Sequence, residues 1–293
     1  MRIGIVILPD ERWSVAGRRW QRAEEYGFDH AWTYDHLGWR DLVDGPWFDA
    51  VPTLTAAAMA TRRIRLGTYV ASPNFRHPVP FARSAITVDD VSQGRLILGV
   101  GAGGTGYDTT VLGEPELRPG RRVDRLGDFL ELFSRLLTED HVDHRGEFYT
   151  AVDARTVPGP VQRPRPPLVV AANGPRAIGL AGKYGDGWLT IGDTRAPDDE
   201  RWWLSLEPMR DRLDAALAAA GRSGEDIPRY LDLHSAPTSP LSSAEAFTDA
   251  VGRAAALGFT DVIAHWPRAE GWYAGSEKML ETVAGLLPRL RRL

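Results

Sequence analysis

Eight times along this chain a short apolar run, rich in β-branched and aliphatic residues, is paired with a longer stretch spaced like a helix. The runs are Ile3–Leu8, Ala31–Tyr34, Ile64–Val70, Leu96–Val100, Leu168–Ala172, Trp188–Ile191, Tyr230–His234 and Val262–Trp266. Continuous apolarity without polar alternation predicts strands buried on both faces. The predicted helices are Ser14–Tyr26, with Ser14 as N-cap and Gly27 as stop, then Asp49–Ala60, Pro80–Val91, Arg121–Leu137, Arg176–Tyr184, Trp202–Ala220, Phe247–Leu257 and Glu277–Leu290, the last bent or interrupted near Pro288. In Arg121–Leu137 the apolar residues Val123, Leu126, Phe129, Leu130, Phe133, Leu136 and Leu137 form one stripe. Strands alternating with helices imply a parallel sheet with helices outside it. Eight of them fit a closed (β/α)8 barrel, fold class α/β, better than an open doubly wound sheet.

The regular alternation lapses between residues 105 and 165. Thr105–Gly120 is rich in turn formers without a helical stripe, and His141–Thr150 and Pro158–Pro167 read as an excursion before the next strand. An insertion region in one barrel domain over residues 1–293 accounts for this, since barrels of ~250 residues fold as single units. The sequence shows no repeat, low-complexity segment or domain boundary.

A barrel places its active site at the C-terminal ends of the strands. Asp35-His36 stands there after the second strand. Histidine is the side chain most easily set to move a proton near neutral pH, and an adjacent aspartate can bond a ring nitrogen; the alternative is a turn in which Asp35 satisfies backbone donors. Gly99 to Gly104 reads G-x-G-x-x-G. No helical pattern follows, so a glycine-rich strand end approached closely by a ligand suits it better than a dinucleotide-binding turn. Asn173-Gly174-Pro175-Arg176 opens a helix, either as a phosphate site on free N–H groups or as an ordinary capped start with proline in the first turn. Trp13, Trp39 and Trp266 stand next to strand ends and are candidates to line a pocket for a flat substrate ring.

Composition removes other classes. The chain has no cysteine, which excludes disulfides, thiolate metal sites and cysteine nucleophiles. Its seven histidines show no metal-ligand spacing, so no metal site is expected. A formal net charge of −4 gives no general pull toward nucleic acid. No apolar run is long enough for a membrane span, and the first residues lack the pattern of a signal peptide. A cytoplasmic location is expected. No G-x-S-x-G elbow supports a serine hydrolase.

Several segments together resemble the luciferase-like family of flavin- and coenzyme F420-dependent oxidoreductases. They are Ala23 to Asp29 leading into Trp32, Asp35-His36, Thr61 to Thr68, His77-Pro78, Asp89 to Gly103, Gly146 to Tyr149, Pro166 to Pro175 and Gly185 to Trp188. The resemblance covers residues 2 to about 192 and thins beyond. It implies a barrel with an insertion, commonly a homodimer, whose cofactor ring lies across the mouth. Asp35 and His36 match a pair that approaches the ring in the deazaflavin-using branch. Tyr69-Val70 matches a non-proline cis peptide behind the ring, and Ser72 a hydroxyl that contacts the cofactor. Gly101, Ala102 and Gly103 match the strand-four glycine segment at the cofactor, and Ala172, Asn173, Gly174 and Pro175 the phosphate-side loop. The family's sugar-phosphate dehydrogenases carry a glutamate after the strand-four glycines; Gly103-Gly104 holds that place here, so their substrate and mechanism do not transfer.

The expected activity is a coenzyme F420-dependent hydride transfer to or from a small organic substrate. Asp35 would orient the ring or His36, and His36 would move the proton. Two alternatives are an FMN-dependent monooxygenase supplied by a partner flavin or F420 reductase, and a barrel that binds a cofactor or ligand without catalysis.

Overall fold

A computed structural model describes residues 1–104, 106–224 and 227–293. The eight expected strands are all present. They are β1 (Arg2–Val6), β2 (His30–Thr33), β3 (Arg65–Thr68), β4 (Leu96–Gly101), β7 (Leu168–Ala171), β8 (Gly187–Thr190), β9 (Arg229–Asp232) and β10 (Asp261–His265). They close in the order β1-β10-β9-β8-β7-β4-β3-β2, every neighbour parallel. Each ends one or two residues before its apolar run does, except β4, which gains Gly101.

The helices on the outside are α1 (Trp13–Glu25), α2 (Ala50–Ala60), α3 (Pro78–Val91), α4 (Tyr107–Thr110), α5 (Pro119–Leu136), α6 (Pro175–Tyr184), α7 (Asp199–Ala219), α8 (Ala244–Ala256) and α9 (Glu277–Leu290). Most helix ends shift by one to three residues from expectation, α5 starting two residues early and α7 and α8 three. The N-cap of α1 is Arg12, whose carbonyl already accepts from Val15 and Ala16, so Ser14 lies inside the helix. α3 starts two residues early because the His77 side chain accepts from the Val79 N–H. α9 runs unbroken through Pro288.

The insertion departs from the barrel between β4 and β7. Thr105, where it was expected to begin, lies outside the described residues. The turn-rich stretch after it contains the short α4. His141–Thr150, expected as irregular, is the start of an antiparallel hairpin of β5 (His141–Arg145) and β6 (Thr150–Arg155). The apolar stripe of α5 buries Phe129 and Phe133 against Phe81 of α3, the latter pair stacked at 5.1 Å. No helix among the described residues is long and apolar enough to cross a membrane.

Two apolar layers hold the barrel. The larger one lies between strands and helices and includes Ile3, Ile5, Leu98, Trp188 and Val262. The smaller one fills the lumen with Val6, Trp32, Tyr34, Tyr69, Ile97, Tyr230 and Ile263. Burying side chains of this size contributes ~1.5–3 kcal/mol each. Trp32 crosses the lumen over Gly67, where any Cβ would stand 2.1 Å from its ring. Aromatic residues continue up the lumen to the mouth, and they determine what the site is built from.

Candidate functional site at the barrel mouth

Asp35 and His36 leave β2 at the mouth and take different partners. Asp35 is fully buried, and Arg76 grips it as a fork, Nη2 to Oδ1 at 2.5 Å and Nε to Oδ2 at 3.1 Å. The same Nη2 reaches Asp49 at 3.1 Å. Burial pushes the Asp35 carboxyl above its ordinary value, against the pull of Arg76. Burial also works against the Arg76 charge, but the two carboxylates outweigh it and hold the guanidinium firmly protonated. Asp35 is therefore occupied by Arg76, and the expectation that it would orient His36 is corrected.

His36 is held instead by Asp108, a residue of α4 in the insertion. Nδ1 lies 2.5 Å from Asp108 Oδ2, and Oδ1 of the same carboxylate accepts from the Leu37 N–H at 2.7 Å. Asp108 is 6 % exposed, and Trp47 donates to the His36 carbonyl at 2.8 Å. A carboxylate on Nδ1 assigns the proton there and leaves Nε2 as the acceptor nitrogen of the neutral ring. Neither Asp108 nor Arg76 was singled out from the sequence. Asp108 is 72 residues from its partner, in a segment whose pattern gave only turns.

The cofactor positions gather at neighbouring strand ends. The Tyr69-Val70 peptide is cis, as the family resemblance implied. Ser72 is buried and accepts from the Asn74 N–H at 3.1 Å. Gly103 has φ +77°, and a Cβ there would stand 2.3 Å from Ser72 Oγ. Asn74 donates to the Gly104 carbonyl at 3.2 Å and accepts from Arg125. The Arg125 Nε is buried without a partner, and burial pushes this guanidinium below its ordinary value. A cation pairing with no carboxylate among the described residues, beside open space at Gly104, fits an anionic group. Gly99 and Gly101 lie in or at the end of β4 and no helix starts among them, so the G-x-G-x-x-G segment is a strand end.

Asn173 turns inward, accepting from Thr190 Oγ1 at 2.8 Å and donating to the Gly192 carbonyl at 3.1 Å. It braces β8 and leaves α6 uncapped. Gly174 is the N-cap with no side-chain bond and Pro175 follows, both exposed. Ala172 is buried just before them. The free N–H groups of this helix start suit a phosphate. These residues, with Ser72, Gly103 and Arg125, fit a phosphate-bearing flavin or deazaflavin.

The three tryptophans separate. Trp39 lies at the mouth, 5.1 Å from Tyr34 and stacked with Tyr273 at 6.0 Å between ring centroids. Trp266, expected beside the pocket, points the other way. It stacks on Tyr26, and its Nε1 donates to Glu277 at 3.1 Å, between barrel and outer helices. Alternation along β10 is the reason: Ile263 and His265 face the lumen, so Trp266 faces out. Trp13 opens α1, is 41 % exposed and packs near Gly17; it does not join the mouth aromatics.

One group at the mouth was not expected. Tyr34 Oη lies 3.1 Å from His265 Nε2 and 2.7 Å from Tyr273 Oη. Tyr69 donates to Asp232 Oδ2 at 2.9 Å, and the other oxygen of Asp232 accepts from the His234 N–H at 2.9 Å. Burial pushes the Asp232 carboxyl up to about 6, and pushes His234 down to about 3 and His265 well below its ordinary value. Both imidazoles are neutral. By contrast, a 460 Å³ concavity lined by Asp249, Arg253 and Arg289 lies between α8 and α9, away from every strand C-terminus.

The fold and site define a (β/α)8 barrel with its polar groups and an anion-receptive rim at the strand C-termini, the class of the cofactor-using barrels. The chain belongs to the luciferase-like monooxygenase family, whose description matches residues 1–286. It is 35 % identical over 217 residues to an F420-dependent glucose-6-phosphate dehydrogenase of Amycolatopsis mediterranei (strain U-32), covering 72 % of this chain and 62 % of that one. The chain thus spans about six-tenths of the length of such relatives. Among solved structures, an F420-dependent secondary alcohol dehydrogenase in complex with an F420-acetone adduct superposes with a TM-score of 0.83 at 18 % identity, over 99 % of both chains. A monooxygenase from Streptomyces bottropensis gives 0.80 at 21 % identity, again over 99 % of both. At these identities the two structures bear on the fold alone.

Proposed function

We propose that this protein is a coenzyme F420-dependent oxidoreductase acting on a small organic substrate. One observation carries the reading: His36 is fixed through Nδ1 by Asp108 at 2.5 Å, and its Nε2 has no hydrogen-bond partner among the described residues. The F420-dependent relatives support the choice of cofactor. When bound, the deazaflavin supplies the hydride exchange. Arg125, Ser72 and the start of α6 hold its phosphate side, and the Tyr69-Val70 peptide and Gly101 to Gly103 back it. His36 gives or takes the substrate proton at Nε2. Asp108 keeps the ring in one orientation and stabilises its protonated form, as a carboxylate does behind a catalytic imidazole. Asp35 and Arg76 lock the strand end from which His36 projects. Trp39 and the tyrosines exclude water from one side.

Spectroscopic titration of the purified protein with oxidised and reduced F420 and FMN tests this. Saturable F420 binding in the micromolar range or tighter is expected, with weaker FMN binding. Tight FMN binding with oxygen uptake by the reduced form would replace the reading with the flavin monooxygenase one.

A further inference from the structure

His265 is wholly buried, and its Nδ1 has no hydrogen-bond partner. A buried ring nitrogen left unpaired is uncommon, because it loses water and gains nothing. The nearest polar atom recorded for it is Asp232 Oδ1 at 3.7 Å, too far for a hydrogen bond. Asp232 lacks something as well. Its partners are neutral donors and His265, and among the described residues no Arg or Lys pairs with this buried carboxylate. One atom therefore wants an electrophile and the other a cation, and they face each other across one gap.

His234 stands at the same gap. One ligand atom from each of Asp232, His234 and His265 lies within 4.8 Å of the other two. Two ligands of a tetrahedral ion with bonds of ~2.0–2.1 Å stand ~3.3–3.4 Å apart, close to the separation of the orphaned nitrogen and the carboxylate oxygen. The surroundings resemble a support for ligands. Tyr34 meets the second nitrogen of His265 at 3.1 Å, and Tyr69 holds the second oxygen of Asp232 at 2.9 Å. The three residues come from the ends of adjacent parallel strands, Asp232 closing β9 with His234 just after it, and His265 closing β10.

We propose that Asp232, His234 and His265 form a binding site for one divalent first-row transition-metal ion at the barrel mouth. Two imidazoles and a carboxylate are the donor set that takes zinc or ferrous iron and leaves coordination positions open. Ligation through Nδ1 requires His234 to release the His265 N–H, which it accepts at 3.0 Å. The cost is one neutral hydrogen bond. None of the three ligands is among the residues assigned to F420, although Tyr69 touches both groups, so metal binding is measured without the cofactor and stands apart from the cofactor reading.

Calorimetric titration of chelator-treated protein with Zn²⁺, and visible spectroscopy with Co²⁺, test it. One ion per chain is expected, with the intense absorption of a low-coordinate Co²⁺ site. Asp232→Asn keeps the acceptor for Tyr69, and with His265→Gln it should lower Zn²⁺ affinity at least about 100-fold while melting near the parent. His141→Ala, removing an exposed histidine that pairs with Asp153, should leave the affinity unchanged. Absence of stoichiometric binding, or binding unaltered in folded Asp232→Asn and His265→Gln proteins, overturns the proposal.

Discussion

The barrel contains an aspartate–histidine pair at each end, and the two differ in almost every property. At the floor, Asp261 receives Arg2 as a fork with both contacts at 2.7 Å, His30 at 3.2 Å and Thr260 at 2.6 Å. Trp32 completes the chain by donating to His30 Nδ1 at 2.6 Å. Burial pushes the Asp261 carboxyl up, but His30 and Arg2 pull harder and hold it down at about 2. At the mouth, Asp232 is equally buried, has neutral donors only and stands at about 6. The difference is an imidazole and a guanidinium, within hydrogen-bond distance of one carboxylate and not of the other. A buried carboxylate with a charged partner and filled lone pairs is a structural element; one without them keeps capacity for a ligand or proton. This matches the division of labour in such barrels, stability below and chemistry above.

The largest expected effect separates the ends by function. His36→Ala lowers turnover roughly 10²–10⁴-fold, the range of a lost general acid or base, with cofactor affinity changed far less. Steady-state rates beside a cofactor titration measure both; retained turnover removes His36 as the proton-transfer group. Next comes stability. Asp261→Asn takes the carboxylate from the buried His30 and from the half-exposed Arg2, and should destabilise the fold by about 2 kcal/mol in urea unfolding. Asp232→Asn, measured in chelator, should cost less than about 1.5 kcal/mol, because it disturbs only neutral hydrogen bonds. Equal costs would break the contrast between floor and mouth.

The smallest effect is in pH dependence, and the two aspartates carry opposite signs. Asp261 has a depressed folded pKa, so its contribution is present above the unfolded value of ~3.9 and lost as pH falls toward about 2. Asp232 has a raised one. The folded state holds its proton longer than the unfolded state, and the contribution of this group falls as pH rises from ~3.9 through about 6. Melting temperatures from pH 2.5 to 7 should therefore show the Asp261→Asn deficit shrinking toward low pH. Asp232→Asn should gain on the parent as pH rises through the middle of the range. Parallel curves would mean that neither carboxylate is shifted.

How the site was legible follows from what pattern can carry. Asp35-His36 and Asn173 to Pro175 could be picked out because each directly follows an apolar run, and a barrel brings all such positions to one face; Ser72 was legible only through the family resemblance. Their partners could not. Arg76, Asp108 and Arg125 are 41, 72 and 51 residues from the groups they contact, and nothing periodic links them. Trp266 was assigned the wrong side for a different reason. β10 is buried on both faces, so apolarity does not alternate along it, and whether His265 or Trp266 faces the lumen is not written in hydrophobicity.

The sequence alone determined the barrel, since eight apolar runs alternating with helices have few compact arrangements, and it located Asp35-His36 at the working end. Tertiary structure decided the partners: Arg76 for Asp35, Asp108 from the insertion for His36, and the meeting of Asp232, His234 and His265. Strand order follows from connections between successive segments, which a sequence displays. Which side chains meet across a closed barrel depends on register and on the facing side of each strand, and both are fixed only when the sheet closes.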